Sequence, residues 1–151
     1  MTAPSMHITL MSIAQLWAGR STCSARVKVG AILVDISNRV IASGYNGSPS
    51  GFPHCDDNGC VLDKDGHCTY AIHAEENAII QCARTGVSCL GMTIYSTHLP
   101  CIKCSLRLVQ AGIHKIVYEK EYGNVGEIIH LLDTAGVRLW RYDNGILLPI
   151  L

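Results

Sequence analysis

A chain of 151 residues and 16.4 kDa has the size of one domain, since soluble domains commonly run to about 100–150 residues. Hydrophobic residues at 48% against 16% charged exclude a disordered chain. Twelve Lys and Arg balance twelve Asp and Glu, which excludes the bulk attraction that polyanion binders rely on and does little to oppose self-association.

Residues 5–20 place Ile8, Met11 and Leu16 at helical spacing behind Ser5, a residue suited to capping, so the first element is an amphipathic helix. Residues 29–35 and 40–45 are short apolar runs around the turn-like Ser37-Asn38-Arg39 and predict a β-hairpin. From Asn46 to Tyr70 neither periodicity holds, and an insert of that length requires something to staple it. Helices follow at residues 72–85, 101–111 and 125–135, each stopped by a glycine. Strands are expected at 92–96, 115–118 and 137–142. Helix–strand alternation implies parallel strands with helices on both faces, so the expected fold is a three-layer α/β/α domain with about five strands, spanning residues 1–151.

Eight cysteines (Cys23, Cys55, Cys60, Cys68, Cys82, Cys89, Cys101 and Cys104) stand beside seven histidines. Residues 1–20 lack the basic start, apolar run and cleavage site of a secretory signal. No apolar run reaches the roughly 18 residues of a membrane span. The expected setting is cytoplasmic, where clustered thiols more often hold metal or do chemistry than form disulfides.

Two motifs sit at helix starts: His73-Ala74-Glu75 and Pro100-Cys101-Ile102-Lys103-Cys104. Thiols three apart share one side of a first helical turn, and the positive end of the helix favours their thiolate form. Pro100 is tolerated there because its missing N–H costs nothing. One imidazole and two thiolates make three ligands for Zn²⁺ and leave a fourth position open, the pattern of a catalytic site. Such an ion brings water toward ionisation at neutral pH for attack on an electrophilic ring carbon, with Glu75 moving the protons. A thioredoxin-like redox pair or a purely structural zinc are the other readings of Cys101 and Cys104, and both leave Glu75 without a role.

His-x-Glu followed by Pro-Cys-x-x-Cys is the signature of zinc nucleobase deaminases. Together with Arg20-Ser-Thr-Cys-Ser24, Val29-Gly30-Ala31, Gly44-Tyr45-Asn46-Gly47-Ser48-Pro49, His54-Cys55 and His67-Cys68, it makes the chain resemble the cytidine and deoxycytidylate deaminase superfamily, closely its deoxycytidylate (dCMP) branch. That resemblance implies a cytidine deaminase-like sandwich with a mixed sheet, and hydrolysis of dCMP to dUMP and ammonia for thymidylate synthesis. It also implies a homohexamer activated by dCTP and inhibited by dTTP with Mg²⁺. The alternatives are a zinc deaminase of cytidine or tRNA adenosine, and a non-catalytic nucleotide-sensing module.

The resemblance further implies a structural zinc under the insert, with Cys23, Cys55, Cys60 and His67 as the favoured ligands and Cys68 as the alternate. Reduced, half-buried thiols are the other reading, and packing is the reading for Cys82 and Cys89. For a nucleotide, Arg26 and Lys28 suit the phosphate. Asn46 resembles the family residue that contacts the deoxyribose, and Tyr122 one near the phosphate. Thr97 and His98, just ahead of Pro100, are expected to line the pocket. Gly44, Tyr45, Gly47, Pro49 and Arg84 are assigned to effector or subunit contacts, with glycines permitting close approach to phosphate.

Overall fold

The structure, a computed structural model, describes residues 3–24 and 26–151. Helix α1 (Met6–Ala18) starts where the Ser5 side chain accepts a hydrogen bond from the Ile8 N–H. Strands β1 (Gly30–Val34) and β2 (Val40–Tyr45) form the predicted hairpin. A four-residue helix, α2 (Cys55–Asn58), lies within the insert. Then come α3 (Ala74–Thr85), β3 (Thr93–His98), α4 (Ile102–Gln110), β4 (Lys115–Lys120), α5 (Val125–Thr134), β5 (Arg138–Asp143) and β6 (Ile146–Pro149).

Among the described residues six strands form one sheet in the order β2-β1-β3-β4-β5-β6. β3, β4 and β5 run parallel; β1 is antiparallel to both its neighbours, and β6 is antiparallel to β5. The expectation of about five strands is thus one short. Asn144-Gly145, both at positive φ (47° and 91°), make the tight Asn-Gly turn that favours a hairpin, and they return the chain as β6.

The layers follow from side-chain alternation along the strands. Ile32, Val34, Tyr95 and Val117 face one side and pack with Leu10, Met11 and Ala14 of α1. Ala31, Leu33, Ile94, Ile116 and Leu139 face the other, under Ala78 of α3, Leu108 of α4 and Ile128 and Leu132 of α5. Each fully buried Leu, Ile or Met contributes about 1.5–3 kcal/mol, so α1 is held chiefly by Leu10 and Met11, at most 1% exposed. Cys82 is buried in the larger core and Cys89 packs half-buried against it, as small apolar groups do. No helix among the described residues is long and apolar enough to cross a membrane.

Candidate metal centre and substrate cavity

The carboxyl end of β3 and the amino ends of α3 and α4 meet at one place, the position where open α/β sheets build their sites. His73 is the residue before the first turn of α3 and Cys101 the residue before the first turn of α4. The Cys101 thiol accepts a hydrogen bond from the Cys104 N–H at 3.5 Å. His73 Nδ1 stands 3.6 Å from Cys101 Sγ and 3.3 Å from Cys104 Sγ. With Zn–N near 2.0 Å and Zn–S near 2.3 Å, a tetrahedral ion sets such donors about 3.6 Å apart, so this trio fits zinc in kind and in spacing.

Hydrogen bonding from Cys104, together with that from His73, pulls the Cys101 thiol down to about 3 against the effect of burial. Sharing a proton with Cys101 and being buried push Cys104 up. The bond to Cys101 outweighs burial and raises His73 above the ordinary imidazole value. Glu75 is 3% exposed. Burial pushes its carboxyl up to about 7, although its own backbone N–H and the Ser96 hydroxyl pull the other way. A carboxyl divided between acid and base at neutral pH is suited to accept and return a proton.

These groups floor a cavity of about 260 Å³, lined by His73, Glu75 and Cys101, by Arg26, His67, His98 and Tyr122, and by the apolar Val29, Ala71 and Leu99. Arg26 thus brings a cation to the wall of this space, and its Nε is buried without a hydrogen-bond partner among the described residues. Lys28 does not line it; this residue is exposed and contributes to holding the Asp56 carboxyl low, which corrects the pairing of Lys28 with Arg26.

Thr97 is also displaced from the expected role. At 3% exposure its hydroxyl accepts from the Gly30 N–H at 3.2 Å and shares a 3.0 Å hydrogen bond with His98 Nδ1. It therefore orients the His98 ring, which does line the cavity. Burial, then the charge of Lys120, lowers the His98 pKa. Asn46 borders the cavity, but its side-chain amide accepts from Val29 N–H at 2.7 Å and donates to the Val27 carbonyl at 2.9 Å. That pins the segment carrying Arg26.

A second donor group lies in and around the insert. The Sγ atoms of Cys23, Cys55, Cys60 and Cys68 all lie within 4.8 Å of one another, with Cys23 to Cys60 at 3.2 Å and Cys55 to Cys68 at 3.5 Å. Four thiolates around zinc stand about 3.8 Å apart, so this set fits as well. Burial raises Cys23 and Cys55. At Cys68 hydrogen bonds, the first from the Tyr70 N–H, outweigh burial and lower the thiol. The favoured fourth ligand, His67, is replaced by its neighbour Cys68, because successive side chains of an extended segment project to opposite sides. Cys68 pairs with Leu62 in an isolated bridge and turns inward. His67 turns toward Asp63, with Nδ1 3.6 Å from Oδ2.

On the other side of α3, a second cavity of about 640 Å³ is lined by Gly44, Tyr45, Pro49 and Arg84, and also by Trp17 and Asn77. Gly47 is not part of its wall; it exchanges backbone hydrogen bonds with Ile72. Gly44 lacks a Cβ for another reason than phosphate, since a Cβ there would stand 2.2 Å from the Ala74 carbonyl oxygen of α3. Asn77, which the sequence reading did not single out, donates from Nδ2 to the Tyr45 carbonyl at 2.7 Å and ties α3 to β2. Its position four residues after His73 was the available signal.

Fold and donor set together define the class of metal-binding α/β enzymes that hold an acid–base carboxylate beside the ion. A family model described as "Cytidine and deoxycytidylate deaminase zinc-binding region" matches residues 4–120, and the chain belongs to that family. It is 46% identical over 133 residues to ComE operon protein 2 of Bacillus subtilis, covering 88% of this chain and 69% of that protein. It is 38% and 37% identical to the deoxycytidylate deaminases of Schizosaccharomyces pombe and Saccharomyces cerevisiae, covering 92% and 93% of this chain. The chain spans less than half of those yeast proteins, 44% and 46% of their lengths. Among solved structures, dCMP deaminase from the cyanophage S-TIM5 in complex with dCMP and dUMP superposes with a TM-score of 0.80 and 35% identity, covering 94% of this chain and 100% of that one.

Proposed function

We propose that the protein, as one catalytic domain, hydrolyses dCMP to dUMP and ammonia and so supplies dUMP for thymidylate synthesis. The observation that carries this reading is the buried Glu75 beside the His73, Cys101 and Cys104 donor set, in a cavity that Arg26 also lines. Zn²⁺ held by those three donors would supply Lewis acidity that brings the ionisation of water toward neutral pH. Glu75 takes one proton of the attacking water and passes it to the pyrimidine ring nitrogen, where it stays, and then carries the remaining hydroxyl proton to the exocyclic amino group, which departs as ammonia. Water adds at C4, the exocyclic C4–N bond breaks, and the base remains on its sugar as the uracil of dUMP. Val29, Ala71 and Leu99 narrow the cavity around the base, His98 presents its ring beside it, and Arg26 and Tyr122 take the phosphate end.

The wider assignments belong to the same proposal. Cys23, Cys55, Cys60 and Cys68 hold a second, structural zinc. The larger cavity bounded by Tyr45, Pro49 and Arg84 takes dCTP as activator and dTTP as inhibitor, with Mg²⁺, in a homohexamer. All eight cysteines are free thiols, which suits a reducing, cytoplasmic compartment. The test is ammonia release from dCMP, deoxycytidine, cytidine and tRNA by the zinc-loaded protein, with and without dCTP and Mg²⁺. Preferential turnover of dCMP supports the reading. Preference for another substrate, or dCTP binding with no turnover of any, replaces it with one of the other two.

A further inference from the structure

We propose that the four-sulfur cluster is also an oxidation-sensitive switch, in which a hydroperoxide links Cys55 to Cys68 and Cys23 to Cys60 and so loosens the segment that delivers His73. The pairing stands on geometry alone, whereas its effect on turnover rests on the dCMP reading. Each hydrogen-bonded pair joins a buried thiol to a half-buried one: Cys23 to Cys60 at 3.2 Å, and Cys55 to Cys68 at 3.5 Å. The half-buried member of each pair can meet an oxidant from solvent, and the buried member stands beside it to resolve the oxidised sulfur. Four thiols allow three pairings, and these distances select one of them. Both distances exceed the roughly 2.05 Å of a disulfide, but Cys60 and Cys68 lie where the chain has room to give. Residues 56–70 are mostly exposed, and their one short helix, α2, ends at Asn58.

The chemistry closes within the pairs. The Cys68 thiolate attacks the terminal oxygen of the hydroperoxide and the O–O bond breaks. The other oxygen takes a proton from solvent and leaves as water or an alcohol. Cys68 is then a sulfenic acid. The Cys55 sulfur attacks that sulfur, the S–O bond breaks, and the hydroxyl leaves as water with the Cys55 proton. Two electrons have passed from two sulfurs to one peroxide, and the same steps at Cys60 and Cys23 consume a second. On the proposed reading the cluster holds zinc as thiolates, and two disulfides offer none, so the ion is released.

Cys68 joins this cluster to the catalytic cavity. It lines that cavity, as does Ala71, and its sulfur accepts hydrogen bonds from the Tyr70 and Ala71 N–H groups. Those bonds fold residues 68–71 onto one sulfur. Ile72 is then clamped to Gly47 by two backbone hydrogen bonds at 2.9 and 3.1 Å, and His73 follows. A disulfide sulfur is a weaker acceptor than a thiolate, so oxidation slackens the run directly ahead of the imidazole that meets Cys101 and Cys104.

The experiment treats the zinc-loaded full chain with hydrogen peroxide. It reads zinc released to a chromophoric chelator, disulfides by non-reducing peptide mass spectrometry, proteolysis within residues 46–70, and turnover of dCMP. One zinc equivalent should leave as Cys55 joins Cys68 and Cys23 joins Cys60, and the insert should become cleavable. Turnover should fall about tenfold or more, the scale of losing a contact that supports a metal ligand. Dithiothreitol with added zinc should restore every readout. Any other pairing of the four thiols overturns the proposal, as does full turnover in the fully paired protein. Loss of turnover with Cys101 joined to Cys104 and the insert thiols still reduced overturns it too. Absence of dCMP turnover before oxidation would refute the proposed activity instead, and the pairing, zinc release and cleavage would then decide the switch.

Discussion

At the scale of single residues, Glu75 and His98 show how burial prepares a group. Glu75 is held near 7 by desolvation, and its neutral isostere removes proton transfer while keeping shape. Glu75→Gln should retain its zinc and its fold, and lose at least about 10²-fold in turnover of dCMP; steady-state kinetics with metal analysis checks both. His98 works in the opposite sense. Its pKa is lowered by burial first and by Lys120 second, so the folded protein binds fewer protons there than the unfolded chain. The stability this contributes is present above the ordinary imidazole value of 6.5 and is lost as pH falls through the lower folded value. His98→Asn should therefore narrow the drop in Tm between pH 7.5 and pH 5, measured by thermal denaturation at both.

At the scale of elements, the site depends on how closely α3 approaches β2 and on what closes the insert. Gly44 allows the first: a Cβ there would meet the Ala74 carbonyl oxygen at 2.2 Å and the Ala78 nitrogen at 2.7 Å, both backbone atoms that cannot swing aside. Gly44→Ala should destabilise the fold by about 1–3 kcal/mol, lowering Tm by about 2–4 °C for each, and should shift His73 and Glu75 with the helix. The insert gathers Cys55, Cys60 and Cys68 around Cys23, which on the proposed reading hold zinc, and is strapped by contacts such as the Asp56 N–H to the Thr22 carbonyl at 3.1 Å. Cys68→Ser should remove one of two zinc equivalents and render residues 46–70 sensitive to limited proteolysis, while the His73, Cys101 and Cys104 set keeps its own metal.

At the scale of the whole molecule, near-zero net charge and exposed apolar side chains, Leu16 and Leu90 at about 75% among them, go with the proposed assembly of identical chains. Sedimentation equilibrium should report six times the chain mass of 16.4 kDa, and dCTP should stabilise that species. A monomer at micromolar concentration would remove the hexamer from the proposal.

The amino-acid order made legible much of the architecture and the grouping of His73, Cys101 and Cys104. Apolar periodicity marked each long helix, with a glycine stop after the last three, because the 3.6 and 2.0 residue periods are written directly into which side chains must be buried. His73, Glu75, Cys101 and Cys104 were legible because two helix starts carry their donors at fixed local spacing. The sixth strand was also local, in Asn144-Gly145, but β6 is short and pairs only with β5.

The rest was decided by tertiary structure. Whether Cys68 or His67 joins Cys23, Cys55 and Cys60 depends on which side of one segment faces the cluster, and neighbouring residues differ there by half a turn of an extended chain. That Thr97 is held by the Gly30 N–H and that Asn46 serves the Arg26 segment follow from contacts between residues 17 to 67 positions apart. Spacing along the chain carries no information about such contacts, because only the closed fold brings those backbone groups within hydrogen-bond reach.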